Sequence, residues 1–131
     1  MFLNGLTQEE RTKFMELVYY IANIDGDYAE EEKELIKNYQ VELNMSVLPK
    51  MTDSIDDLVS YFAGKSEGLK KIIIFEIYGL IMSDDSISPK EKEIVDDIDR
   101  TFGIEVSTMS MIKDLVKKLK NVYDKIYTVL S

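Results

Sequence analysis

The chain has neither cysteine nor histidine among its 131 residues. Without cysteine there are no disulfides and no thiol chemistry. Without either residue, zinc, iron and copper lose their usual ligands. The commonest acid–base and nucleophilic constellations are lost as well. Long apolar runs are also missing. The longest, Ile72 to Met82, is interrupted by Glu76 and is too short to cross a bilayer. Basic residues are in short supply: 16 Lys and Arg stand against 25 Asp and Glu, a net charge of −9. That balance argues against nucleic acid, whose phosphates need a basic footprint. Met1 to Gly5 shows no basic or apolar leader segment, so the expected location is the cytoplasm.

What is present is an ordinary globular composition, 45% hydrophobic and 31% charged, of a length that suits one domain over residues 1–131. The charge is uneven. From Glu105 onward five Lys face three acids, a net of +2, which leaves −11 on the first 104 residues. Such acidity could draw cations or a basic partner, although acidity also keeps a small domain in solution.

Six helices are expected. Thr7 and Glu10 form a capping box, with Leu6 placed to staple the start. The first helix runs to about Asn23 on Phe14, Leu17, Val18 and Ile21, one apolar face. The second covers about 29–43, with Glu30, Glu31 and Glu32 in its first turn, where the helix dipole favours acids. Asp53 or Ser54 caps a short third helix over Ile55 to Ala63, ended by Gly64. The fourth, from about Leu69 to Met82, is apolar nearly all round, which places it mid-bundle. Its one charge, Glu76, should reach solvent or a lysine, because burying it unpaired is costly; a functional carboxylate is the sharper reading. Ser88-Pro89-Lys90-Glu91 is a complete helix start, and that fifth helix ends at Phe102-Gly103. Ser107 is read as the cap of the sixth, about 107–128, whose continuous face is Ile112, Leu115, Val116, Leu119, Tyr123 and Ile126. Its lysines make it resemble a membrane-surface helix; a solvated face on a packed terminal helix explains them more simply.

The first and second helices meet at Ile24-Asp25-Gly26-Asp27, and 59 residues later the fourth and fifth meet at Ser83-Asp84-Asp85-Ser86. At that offset the halves pair: Val18 with Ile77, Tyr19 with Tyr78, Ile21 with Leu80, Glu32-Lys33-Glu34 with Glu91-Lys92-Glu93. One helix–acidic turn–helix unit is used twice, over about 12–45 and 71–104. Neither copy can bury its apolar face alone. The expected fold is a compact all-α bundle, two hairpins face to face with the third and sixth helices covering the open sides.

The candidate ligating residues are Asp25, Asp27 and Glu32 in the first turn and Asp84, Asp85 and Glu91 in the second. A charge at Asp25 opposes the dipole at the end of its helix, which a cation would relieve. An oxygen-only set points to Ca²⁺, Mg²⁺ or Mn²⁺. Neither turn is an EF-hand: with Gly26 at loop position 6, the first ligand position falls on Ile21 and, in the second copy, on Leu80. The simpler reading is a structural turn, since Asp-Gly is a turn dipeptide, Glu at the third helical position is a cap, and duplication alone would leave two copies.

Ala22-Asn23-Ile24-Asp25-Gly26 through Glu32, repeated as Ile81-Met82-Ser83-Asp84-Asp85 through Glu91 and closed by Phe102-Gly103-Ile104, resembles the TerB-like family, the tellurite-resistance domain also related to the N-terminal region of DjlA-type co-chaperones. The resemblance spans roughly 7–104. It implies an all-helical duplicated fold, acidic residues (here Asp25, Glu32, Asp84 and Glu91) holding a divalent metal, and a role in stress response or protein complexes. Two positions depart: Ala29 stands where the second copy has Ser88, and Asp85 stands where the first has Gly26. The expected function is a cytoplasmic, non-enzymatic domain that binds protein partners, tuned by a divalent cation at the turns. Partly exposed Tyr19, Tyr20 and Tyr28 could also serve a homodimer. The rivals are a metal-dependent hydrolase, which needs both turns in one cleft, and a structural adaptor with no ion.

Overall fold

The computed structural model describes residues 2–24, 30–45, 52–82 and 87–131, with the side chains of 30–32 outside that description. The described chain is all-helical. A 3-10 turn, Leu3–Gly5, precedes α1 (Gln8–Ala22), α2 (Glu30–Glu42), α3 (Ile55–Ala63), α4 (Glu67–Ile81), α5 (Pro89–Phe102) and α6 (Val106–Leu130).

Local signals set most of the boundaries. The capping box at α1 is closed on both sides: the Thr7 backbone N–H donates to Glu10 Oε1 at 2.9 Å, and the Glu10 N–H to Thr7 Oγ1 at 3.2 Å. Arg11 occupies the position a staple would give to an apolar partner of Leu6, and its guanidinium instead donates to the Leu6 and Leu43 carbonyls, at 3.1 and 3.3 Å. This ties the start of α1 to the end of α2. Ser54, not Asp53, caps α3 by accepting from the Asp57 N–H at 3.1 Å. The end of α2 uses Asn44 at φ 56°. There the Met45 N–H reaches the Gln40 carbonyl at 2.8 Å and the Asn44 N–H the Val41 carbonyl at 3.1 Å, the paired bonds of a Schellman ending. Gly103 ends α5 at φ 65°, a conformation glycine adopts without steric cost.

Two expected starts are corrected. The fourth helix begins at Glu67, two residues before the expected Leu69, because Ser66 accepts from the Leu69 N–H at 3.2 Å and so holds the first turn across Gly68. The sixth begins at Val106. Ser107 lies inside the helix and Glu105 stands at the cap without a side-chain cap bond, so only its carbonyl takes part, accepting from the Met109 N–H at 2.9 Å.

The core is one cluster drawn from every helix, with Phe14, Leu17, Leu58, Phe62, Ile73, Ile77 and Ile98 wholly enclosed. As its apolar circumference predicts, α4 is central: it packs against α1, α2, α3 and α6. The nine-residue α3 is more than a cover. It lies against α1, α4 and α5, because Leu58, Val59 and Phe62 present a full apolar face on barely two turns. The extents of α1 and α4 fall at the 59-residue offset at both ends, as do the starts of α2 and α5. Their packing differs, since α2 lies on α1 and α4 while α5 lies chiefly on α3. Glu76, expected to reach solvent or a lysine, does not reach solvent. It is buried, and the Tyr39 hydroxyl, itself buried, donates to its backbone carbonyl at 3.1 Å.

Candidate functional site

Of the six acidic candidates, Asp25, Asp27, Asp84 and Asp85 lie outside the described residues. Glu32 is placed by its backbone alone, in the first turn of α2. Glu91 is fully placed. Its Oε1 accepts from the Ser88 backbone N–H at 3.0 Å while its own N–H donates to Ser88 Oγ at 3.1 Å. That capping box commits one of the two carboxylate oxygens to the start of α5. Among the described residues no group of three or more acidic side chains is arranged to hold a metal ion.

The described residues build a different site, where α4, α5 and α6 come together. Tyr78 on α4 faces inward because the apolar circumference of that helix leaves it no solvent side. Asp99 on α5 stands beside the buried stripe of Val95, Ile98 and Phe102. Lys113 comes from the outer side of α6. The Tyr78 hydroxyl donates to Asp99 Oδ2 at 2.9 Å, with Oδ1 at 3.3 Å. Lys113 Nζ is 3.6 Å from Asp99 Oδ2 and 5.1 Å from the centre of the Tyr78 ring. The three groups thus form one charge-assisted unit, with the ammonium over the electron-rich ring face.

Burial and their mutual contact shift the protonation of Tyr78 and Asp99. Burial raises the Tyr78 hydroxyl well above a tyrosine's usual range, and the Asp99 charge raises it further. Burial likewise lifts the Asp99 carboxyl, while the Tyr78 hydrogen bond and the Lys113 charge pull it back down. A phenol so displaced stays protonated and serves as a fixed donor, not as a base. The aspartate accepts from the Tyr78 hydroxyl and is paired with the Lys113 ammonium at 3.6 Å. The unit is therefore suited to holding three helices in register rather than to moving protons.

Beside it opens a cleft of about 350 Å³. Met82, Ile87 and Val95 supply an apolar floor, and Lys92, Lys117, Asp96 and Asp114 stand at its edges. A floor of this kind with a few polar groups around it is the usual build of a binding pocket. Sequence reasoning did not find this site. Its three key residues sit on three elements, 21 and 14 positions apart, and no local spacing joins them; the only signal was the place of Asp99 at the edge of the apolar stripe of its helix.

No protein-family model, no curated protein and no solved structure matches the chain.

Proposed function

We propose that this chain is a non-enzymatic, TerB-like interaction domain of the cytoplasm that works by binding protein partners, with a divalent cation (Ca²⁺, Mg²⁺ or Mn²⁺) at its two acidic turns tuning that binding. The observation that carries the reading is the α4–α5–α6 cleft, where Tyr78, Asp99 and Lys113 satisfy one another around an apolar floor with charged edges. Groups so saturated offer a docking surface in place of a reacting centre. The coincidence of helix extents at the 59-residue offset supports the duplicated unit on which the family resemblance rests. A partner segment that fits the cleft presents an apolar side chain or two to Met82, Ile87 and Val95, between edges that carry charges of both signs, Lys92 being paired with Asp96 at 3.0 Å.

A second reading, a structural adaptor with no ion, is favoured by Glu91, one of whose carboxylate oxygens is committed to capping α5. One experiment separates the two. Metal-stripped protein is titrated calorimetrically with Ca²⁺, Mg²⁺ and Mn²⁺, alongside Asp25→Asn and Asp84→Asn. Heat in the wild type that is lost in a variant makes the turns ion sites. Equal silence from all three proteins, with the variants only less stable, assigns the acids to the turns themselves. Partner capture with and without the active ion, repeated on Ile87→Arg, then tests the cleft: a protein retained by the wild type should be lost when the exposed floor residue is charged.

A further inference from the structure

Residues 2–6 run ahead of α1 and reach across to α2 and α4. Leu3 is wholly enclosed and Leu6 nearly so, while Phe2, Asn4 and Gly5 are exposed. The Leu6 N–H closes the 3-10 turn on the Leu3 carbonyl at 3.2 Å. Positions three apart eclipse in such a turn, which brings both leucines to one side. Phe2 sets its ring edge-to-face with that of Phe75 on α4, the centroids 5.6 Å apart.

The bundle holds this segment by side chains that grip its main chain. Glu42, the last residue of α2, accepts from the Leu3 N–H through Oε2 at 2.9 Å. Arg11 on α1 donates to the Leu6 carbonyl at 3.1 Å and to the Asn4 carbonyl at 3.4 Å. Among the described residues no main-chain hydrogen bond joins residues 2–6 to a helix. A carboxylate at the end of α2 opposes the helix dipole, and no basic residue stands in that turn. The Leu3 N–H offsets part of that cost.

The helices keep their ends without the segment. Thr7 and Glu10 close the start of α1 on each other. The end of α2 is completed by the Asn44 and Met45 N–H groups and by Arg11 on the Leu43 carbonyl. Gly5 is the pliant point. It is exposed, and a Cβ added there would meet nothing within 4 Å, so no packing fixes it and glycine's wide conformational range is available on release.

We infer that residues 2–6 are a strap that opens as a unit while α1 to α6 stay folded, with Glu42 as its clasp. Opening bares the apolar site that Leu3 fills beside α2 and α4. Segments held by few contacts open at a lower free energy than the core they cover. The strap lies apart from the α4–α5–α6 cleft and requires no ion at the acidic turns.

Thiol labelling of the full chain tests it. The chain has no cysteine, so Leu3→Cys introduces a single thiol that meets Ellman's reagent only when the strap is open. Val18→Cys, at an enclosed site on α1, introduces one that meets it only when the bundle unfolds. The first should be labelled at least about a hundredfold faster than the second. Its rate should barely change with urea, because little surface is exposed on opening, whereas the second should rise steeply. Adding Glu42→Ala to Leu3→Cys should speed labelling by about tenfold. That change leaves α2 a better helix former without the opposing charge, so helicity by circular dichroism should persist. Adding Gly5→Ala should slow labelling by about threefold, since the closed form has room for the Cβ and the open form loses freedom. A common rate and urea dependence for the two thiols overturns the proposal, because the segment then leaves only when the bundle unfolds. Labelling of the Leu3→Cys thiol at the rate of a free thiol also overturns it, because the strap is then never closed. Labelling indifferent to Glu42→Ala overturns the role of Glu42 as the clasp.

Discussion

Glu16 on α1 is buried, and among the described residues only one of its oxygens has a partner: Oε1 accepts from the Thr52 hydroxyl at 3.3 Å and its N–H at 3.4 Å, while the enclosed Oε2 accepts from none. A carboxylate held this way bears a desolvation cost that long hydrogen bonds offset only in part. Glu16→Gln keeps the shape and the Oε1 acceptor and removes the charge, so urea denaturation at neutral pH should show it more stable by about 1 kcal/mol. A loss of stability would mean that the charge itself is balanced at this site. Glu10 and Asp99 make opposite demands on pH. The Thr7 backbone N–H holds the Glu10 carboxyl below its usual value, burial opposes that, and Lys65 at 3.2 Å adds to the lowering. Its stabilisation is present above the unfolded carboxylate pKa of about 4.3 and is lost as pH falls through the lower folded value. Burial leaves Asp99 raised, so its protonated form is favoured in the folded state, and stability falls as pH rises from the unfolded value of about 3.9 through the folded one. Thermal melts across the acid range should therefore show a shallower acid decline for Glu10→Gln than for the wild type. In Asp99→Asn, the loss of stability just above pH 4 should disappear.

Helix ends are where local chemistry can be weighed most directly. Ser66 and Ser88 each accept from the N–H three residues on, at 3.2 and 3.1 Å, and Ser→Ala at either cap should cost about 1 kcal/mol in chemical denaturation. Gly103→Ala forces a side chain onto φ 65° and should cost about 1 kcal/mol as well, although nothing stands within 4 Å of the added carbon. The same ends account for what could be read in advance. Ser88-Pro89-Lys90-Glu91 places three start signals in four residues, Ser at the cap, Pro at the first helical position and Glu at the third, and the helix begins there. Ser66 was hidden because Gly68 two residues later reads as a breaker, while the capping bond costs nothing to form across it. Ser107 has the chemistry of a cap, but Val106 before it already turns helical. Gly64 does end α3 as expected, though at φ −82°, so its place owes nothing to glycine's freedom. The apolar period located the core faces of α1, α3, α4 and α5. It could not tell that Glu76 is enclosed, because burial there depends on other helices closing over α4, α2 with Tyr39 among them. The α4–α5–α6 unit was invisible for the same reason: Tyr78, Asp99 and Lys113 meet only once three helices have packed.

For the whole molecule, the question is which part of the chain carries the fold. The apolar period of α6 is unbroken to Leu130, yet its buried residues stop at Val116, and the partly buried ones at Lys120. Periodicity reports which side chains are apolar and is silent on what covers them. The bundle's stability should accordingly reside in residues before 121. A chain ending at Lys120 keeps Met109, Ile112 and Val116 against the core and gives up only exposed surface, so at high dilution its thermal midpoint should lie within about 3 °C of the full chain's. A shortened chain that fails to fold would place the end of α6 within the bundle's cooperative unit.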